Sequence, residues 1–570
     1  LPYQVHSIRP KHSSAIELGK LTVLVGPNNC GKSQTLKDIR EYSSTGSTNR
    51  LVVLDEVNSS LPTLAELKAA IQIGPNSSAV DHVMITGVKD DLLTQMSFGP
   101  HGTWLDNNYN AGSENSSSKR ELLRQLGTCL FAYLGAEARF KLTTQSPGFD
   151  TRSEAPSNAI QSLFKSGPDT HAELRRAFRS AFNMDIGLDW AAMTRFYLRV
   201  SEDFGDIPDG RIALDELMRD AADLEKQGDG FRSFAGIALA LLTFPTRLLL
   251  LDEPEAFLHP AQSRVLGRWL ATQASRRQAQ VIVATHSSDF LAGLIASSED
   301  ATILRLNRNN TSTNFHRIPP TATLGLIQSP LLSSQPVLDS LFHRGVIVCE
   351  GDPDRAIYQT TAHKFLADCG GEDVLFIHSN GKDALKSPVE LLRQSGTPVC
   401  VIADFDVINS EALLDEIALA LNGNPLSSDI KTLRTHVSTA IEERSQEQSL
   451  GELRDSVHEW LEHEEADLRR ARRNLVSKAR TGSNKWEKAK KKGVACLPAA
   501  DIPKANELIQ RLAEIGLFVV PCGELESWMD LQKLKGKGWN QAALQELYSS
   551  NCPPALREFV GRTLSFLAQR

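Results

Sequence analysis

Short apolar runs, each closed by a polar or glycine-rich turn, recur along this chain. Runs without alternation predict strands buried on both faces, the habit of parallel sheets covered by helices. In the first half they fall at 21–25 (LTVLV), 51–57 (LVVLDEV), 248–251 (LLLL) and 279–285 (AQVIVAT), with shorter strands at 5–8 and 15–18. In the second half they fall at 345–349 (GVIVC), 373–377 (DVLFI), 398–403 (PVCVIA) and 517–521 (LFVVP). Helical patterning occupies 121–133, 171–182, 234–243, 410–465 and 508–515. Across 106–199, helical stretches alternate with serine- and asparagine-rich connectors at 107–118 and 143–158. That pattern predicts a helical insertion serving packing or self-association, dimerisation included. The expected fold class is α/β. A first domain occupies 1–105 and 200–335, interrupted by the helical insertion 106–199. A second α/β domain occupies 336–570, with a helical and basic insertion at about 409–495.

Composition narrows the class. At 570 residues the chain has room for two to four domains of ~100–200 residues each. A net charge of −7 excludes a uniformly basic nucleic-acid binder, so any such surface is local. The eight cysteines are scattered, without CxxC pairs or zinc spacing, which is the usage of a reducing compartment, and a cytoplasmic location is expected. No apolar run approaches the ~20 residues of a membrane span and the amino end has no signal-peptide pattern, so no membrane partner is expected.

Chemistry enters at the strand ends, where open α/β sheets bind their ligands. The strand at 21–25 runs into GPNNCGKS, residues 26–33, which matches a phosphate-binding loop in its strand-loop-helix setting. Gly26, Asn28, Asn29, Gly31, Lys32, Ser33 and Gln34 are its candidate nucleotide-binding residues: backbone N–H groups form an anion nest, Lys32 reaches terminal phosphates and Ser33 ligates Mg²⁺. Gly228 and Gly230 open an apolar helix and expose unpaired N–H groups to an anion. The strand at 248–251 delivers Asp252 and Glu253, placed to hold Mg²⁺ and orient a water, and the strand at 279–285 ends in His286. Taken singly, each has a structural reading: a glycine turn, an acidic helix start, a core histidine. LVVLDEV repeats the apolar-run-then-acid pattern but follows the loop too closely, and is read as a structural strand.

Phosphate loop, glycine-led helix, DE strand and strand-end histidine, in that order, resemble the ATP-binding cassette (ABC) ATPases, specifically the branch of structural-maintenance-of-chromosomes and RecF-like proteins, over residues 1 to about 320. The resemblance implies ATP with Mg²⁺ as cofactors, Asp252 as the Walker B ligand, Glu253 as the base and His286 as the switch. In the signature helix, Gly228 stands where the family has serine, and Phe231 where a polar residue is usual.

In the second half, Glu350 follows one strand, with Asp354 a helical turn beyond it, and Asp404 and Asp406 follow another. Carboxylates converging at a sheet's open end repel one another unless a divalent cation joins them, and oxygen-only ligands favour Mg²⁺ or Mn²⁺. A strand followed by Glu-Gly and, roughly fifty residues on, a strand followed by Asp-x-Asp resembles the Toprim fold. Glu524 and Glu526 in a GELE turn are candidates to complete a second metal position. The strand at 373–377 runs into Ser379-Asn-Gly-Lys382. Between 469 and 492, Arg469, Arg470, Arg472, Arg473, Lys478, Arg480, Lys485, Lys488, Lys490, Lys491 and Lys492 face only Glu487, a local excess of roughly +10. Beside such a site the run is suited to phosphate contact, and Trp486 to stacking on a base.

An ABC-type ATPase fused to a Toprim domain carrying EGD, DFD and GELE turns resembles the OLD (overcoming lysogenization defect) family nucleases. The resemblance implies nucleotide-regulated, Mg²⁺- or Mn²⁺-dependent cleavage or nicking of DNA, often in bacterial defence against phage, with a homo-oligomer and a partner protein encoded nearby as expected associates. It also implies Glu350 as ligand or proton carrier and a lysine near the scissile phosphate, with Lys485, Lys488 and Lys492 as candidates and Lys488 the first choice. The alternative is an ATPase sensor or scaffold whose Toprim domain binds without cutting. A topoisomerase would need a nucleophilic tyrosine domain, and none of the seven tyrosines lies in a recognisable one. A primase would need a zinc module ahead of the Toprim unit.

Overall fold

The computed structural model of the chain describes all residues except 1–2, 71, 76–82, 90–91, 99–122, 125, 128–129, 153, 245–247, 299, 310–311, 329–337, 371–372, 445–457, 459–484 and 532–536. It divides into two compact units, Leu1–Gln328 and Ser329–Arg570.

The central sheet of the first unit has six strands: β1 (Leu21–Val25), β2 (Phe131–Leu134), β3 (Leu248–Asp252), β4 (Gln280–Ala284), β5 (Thr302–Asn309) and β6 (Ser312–Arg317). Across the sheet they run β6-β5-β1-β4-β3-β2, parallel throughout except for β6. Leu248, Leu249, Leu250 and Leu251 are almost wholly buried, each contributing about 1.5–3 kcal/mol by leaving water. Asp252 pairs with Ala284, and Ala284 with Leu24. That register brings the carboxyl ends of β1, β3 and β4 to one level. Helices α1 (Lys32–Thr45), α2 (Ala136–Lys141), α3 (Pro168–Phe182) and α4 (Asp229–Thr243) belong to the same unit.

The stretch expected as a helical insertion is only partly helical. Residues 131–133, expected to close a helix, lie in β2, which pairs with β3 at the sheet edge. Asp185–Asp189 and Arg195–Ser201 pair antiparallel in a separate sheet. The cause is that Phe131, Ala132, Tyr133 and Leu134 are all buried, and so short an apolar run carries no periodicity that separates strand from helix. The whole connector at 107–118 lies outside the described residues. Within LVVLDEV, the strand Leu54–Ser60 pairs with Gln4–Pro10 in its own three-stranded sheet, with Asp55 and Glu56 exposed.

The second unit holds a four-stranded parallel sheet of β7 (Gly345–Cys349), β8 (Val374–His378), β9 (Val399–Ala403) and β10 (Leu517–Val519), in the order β8-β7-β9-β10. Alternate residues serve opposite faces. Val346, Val348, Val401 and Val519 join one core, and Ile347, Cys349, Cys400 and Phe518 join the other. Both faces are therefore apolar, and polar groups are confined to the strand ends. Helix α5 (Asp352–Phe365) follows β7, and the short helix α6 (Lys485–Lys492) precedes β10.

Candidate functional site

Two constellations stand at carboxyl ends of strands, one in each unit. In the first, β1 gives way to a loop in which Gly26 (φ 143°), Asn29 (φ 61°) and Gly31 (φ 103°) adopt left-handed backbone. A Cβ on Gly26 would sit 2.3 Å from the Leu306 carbonyl oxygen, so only glycine fits. Lys32 Nζ folds over the loop and donates to the carbonyls of Gly26 (2.7 Å) and Pro27 (2.9 Å). Ser33 Oγ donates to Asp252 Oδ1 at 2.8 Å, and the Tyr133 hydroxyl donates to Asp252 Oδ2 at 2.8 Å. The loop hydroxyl and the strand-end carboxylate thus meet across 219 residues of sequence. Asn28 is exposed, and Gln34 is engaged with Asp38 Oδ1 at 2.9 Å.

Glu253 takes left-handed backbone (φ 48°), its N–H donating to Ala284 O at 2.8 Å and its carbonyl accepting from Arg139 Nη1 at 2.9 Å. His286 Nδ1 lies 3.5 Å from Glu253 Oε1 and 3.6 Å from Glu255 Oε1, contacts longer than hydrogen bonds. Glu255, which motif reading passed over, is the hub between the two strand ends. Its Oε1 accepts from Thr285 Oγ1 (2.7 Å) and from the His286 N–H (2.9 Å), and burial pushes its carboxyl pKa up. Gly228 caps α4, and a Cβ on Gly230 would lie 2.6 Å from the Phe257 carbonyl oxygen. Phe231 packs edge-on against Phe178 and Phe182 of α3, which explains an aromatic at this point of the helix. Tyr133 and Arg139 were not legible as site residues, because they come from the stretch expected as an insertion.

In the second unit the ligand oxygens of Glu350, Asp404 and Asp406 lie within 4.8 Å of one another. Glu350 Oε1 accepts the N–H of Asp404 at 2.9 Å, which ties the β7 end to the β9 end. Burial, then Asp404 and Asp406, push the Glu350 carboxyl up to about 8. Burial, then Asp404, push Asp354 up to about 7. Asp404 is likewise raised by burial, against the pull of Lys490, and Glu524 by burial and Glu526. Asp354, Glu524 and Glu526 therefore act on the cluster electrostatically, while their carboxylates fall outside the close group of three. The three fit a hard divalent cation: every donor is oxygen, and Asp406 Oδ1 is buried with no hydrogen-bond partner among the described residues.

Among the described residues, two lysines meet these acids. Lys490 Nζ is 3.1 Å from Asp404 Oδ2 and 3.9 Å from Asp406 Oδ1. Burial works against its charge, but Asp404 and Asp406 outweigh it and raise its pKa. Lys382 Nζ donates to Asp406 Oδ2 at 2.7 Å. Lys488, the first choice among the lysines, has an exposed side chain away from the acids, whereas Lys490 of the same helix faces them. The expectation for Trp486 is corrected, since its ring is 6% exposed and packs into the core with Ala489. Residues Arg469, Arg470, Arg472, Arg473, Lys478 and Arg480, and the side chain of Lys485, lie outside the described residues. The signal for Lys490 was its place in the basic run; for Lys382 it was the polar turn straight after a strand.

Two family descriptions match the chain. Residues 118–292 match "AAA domain, putative AbiEii toxin, Type IV TA system", a span that contains Asp252, Glu253, Glu255 and His286. Residues 341–406 match "Overcoming lysogenization defect protein-like, TOPRIM domain", a span that contains Glu350, Lys382, Asp404 and Asp406. No curated protein matches. Among solved structures, the chain is similar to an SMC head bound to the C-winged helix domain of ScpA, at 13% identity over 55% of this chain and 97% of that one, with a TM-score of 0.32. It is similar to the SMC head domain from Thermotoga maritima at 12% identity over 56% and 98%, TM-score 0.28. It is also similar to an RNase-L inhibitor at 13% identity over 59% and 43%, TM-score 0.27.

Proposed function

From an AAA ATPase-like domain fused to an OLD-like Toprim domain, the architecture of the OLD family, we propose a nucleotide-regulated, divalent-metal-dependent DNA endonuclease. The observation that carries this reading is the cluster of Glu350, Asp404 and Asp406 with Lys490 beside it. Glu350, Asp404 and Asp406 would hold Mg²⁺ or Mn²⁺, with Asp354, Glu524 and Glu526 adding negative charge for a second ion. A divalent ion bound there supplies Lewis acidity toward a phosphodiester. Glu350 would serve either as a ligand of that ion or, where it is left unligated, as a proton carrier, its proton affinity then raised by burial and by Asp404 and Asp406. Lys490 is placed to turn from Asp404 to a phosphate oxygen, and exposed Lys488, Lys491 and Lys492 extend positive charge along the same helix toward a nucleic-acid backbone.

In the first unit, Lys32 would exchange the loop carbonyls for phosphate oxygens, and Ser33 and Asp252 would share Mg²⁺. Glu253 would orient water, with His286 beside it. ATP is the nucleotide this set suits, and a homo-oligomer is the proposed assembly.

The test is plasmid nicking with Mg²⁺ or Mn²⁺, with and without ATP. The wild-type chain is expected to nick, chelation to abolish nicking, and Asp404→Ala or Asp406→Ala each to lower the rate about 100-fold or more. Nicking unchanged by both substitutions sinks the nuclease reading. DNA binding without cutting under either metal returns the chain to an ATPase sensor or scaffold.

A further inference from the structure

The turn after β8, residues 379–382, touches both acid-bearing strand ends, and the proposed reaction gives it no role. The Ser379 N–H donates to Cys349 O at 3.1 Å and the Gly381 N–H donates to Glu350 O at 2.7 Å. The turn is thus fastened to the backbone that carries Glu350. From there Lys382 reaches across to Asp406, its Nζ donating to Oδ2 at 2.7 Å. The other oxygen of Asp406, Oδ1, is buried and has no hydrogen-bond partner among the described residues, with Lys490 Nζ at 3.9 Å. Asp406 belongs to the three carboxylates whose ligand atoms converge within 4.8 Å.

A carboxylate beside two others is pushed away from them by charge unless something holds it. A lysine fastened to one oxygen supplies that restraint and leaves the second oxygen as the group on offer. We propose that Lys382 is a positioning residue that pins Asp406 through Oδ2, so that Oδ1 is presented with Glu350 and Asp404 as a ligand for a divalent cation. This rests on the reading of the acid cluster as a metal centre. Two effects of removing Lys382 oppose each other. Loss of a nearby positive charge favours a bound cation. Loss of the outer partner of a ligating carboxylate typically costs about 10–100-fold in metal affinity. The ion pair is partly exposed, at 33% for Lys382 and 15% for Asp406, so solvent screens the charge effect more than it loosens the short hydrogen bond. Orientation is therefore expected to win.

The experiment is a Mn²⁺ titration of the full chain in the absence of DNA and nucleotide, following free Mn²⁺ by electron paramagnetic resonance. Lys382→Met is expected to weaken the sites lost in an Asp404→Ala, Asp406→Ala double variant by about 10-fold or more. Lys382→Arg and Lys382→Gln, which keep a donor, are expected to stay within about 3-fold of wild type. Lys382→Thr, too short to reach Asp406, gives the same comparison should the Met variant fold poorly by circular dichroism. Binding by the Met and Thr variants as tight as wild type or tighter overturns the proposal, as does equal weakening in all four. Absence of saturable Mn²⁺ binding by the wild type, relative to the double variant, overturns the metal-centre reading itself and is a separate failure.

Discussion

Lys488 and Lys490 have the same side chain, two positions apart on one short helix, and opposite surroundings. Lys488 points to solvent, while Lys490 lies against Asp404 and Asp406. In the proposed reaction, a lysine in contact with the acids would contribute to charge stabilisation at the reacting phosphate, whereas an exposed one would add screened, distributed attraction. Lys490→Ala is therefore expected to lower metal-dependent nicking by about 100-fold. Lys488→Ala is expected to change it by no more than about 3-fold at physiological salt, a comparison of initial rates that reverses if Lys488 is the acting residue. Trp486 illustrates the same division. Its indole is spent on the core beside Ala489, leaving no face for a base.

Besides the Lys490 ion pair and the packing of Trp486 and Ala489, helix α6 is fastened through backbone groups at its carboxyl end. The Val494 N–H donates to Pro521 O at 2.9 Å, Ser527 Oγ donates to Lys491 O at 2.8 Å, and the Phe405 N–H donates to Gly523 O at 2.8 Å. These bonds chain the helix end to the GELE turn, and the GELE turn to the DFD turn. Gly523 makes the approach possible: its φ is 118° and a Cβ there would sit 2.2 Å from Lys490 O. Gly523→Ala is expected to destabilise the chain by about 2–4 kcal/mol in urea unfolding, by strained backbone and displaced helix together. It should also slow nicking at temperatures where the variant remains folded. Unchanged stability would mean that the helix is not fastened through this turn. In the first unit β2 plays the comparable part, placing Tyr133 on Asp252 and leading into α2, whose Arg139 bonds the Glu253 carbonyl.

At the scale of the whole molecule, the buried acids of the second unit make its stability depend on pH, and under the proposed metal-centre reading on metal as well. Glu350 is pushed up to about 8 and Asp354 to about 7, from ordinary values near 4. In the metal-free chain the folded state therefore holds more protons than the unfolded state between about pH 4 and pH 8. Stability must fall as pH rises through that window. With EDTA present, the Tm of the second unit is expected to drop on the order of 5 °C between about pH 5 and about pH 8, and saturating Mg²⁺ is expected to suppress the drop. A flat or rising Tm in EDTA would show that these carboxyls are not held up. No helix among the described residues is long and apolar enough to cross a membrane.

The sequence by itself determined three strands of the first sheet, all four of the second, and the ligand-bearing ends of those strands. LLLLDE, GPNNCGKS and the run of VIVCEG toward VIADFD are local statements, because burial on both faces and glycine turns are recorded in consecutive residues. It also determined that Glu350, Asp404 and Asp406 would share a strand-end cleft, since a parallel sheet lines up its carboxyl ends. What only the tertiary structure decided is which residues from elsewhere complete each site. Tyr133 reaches Asp252 through an edge strand whose four apolar residues look equally helical. Glu255 became a hub through a hydrogen bond across two strands, and Lys382 and Lys490 were chosen from among many lysines by turns that fix their direction. Direction depends on backbone geometry and on contacts between distant segments, and neither is written in the spacing of residues along the chain.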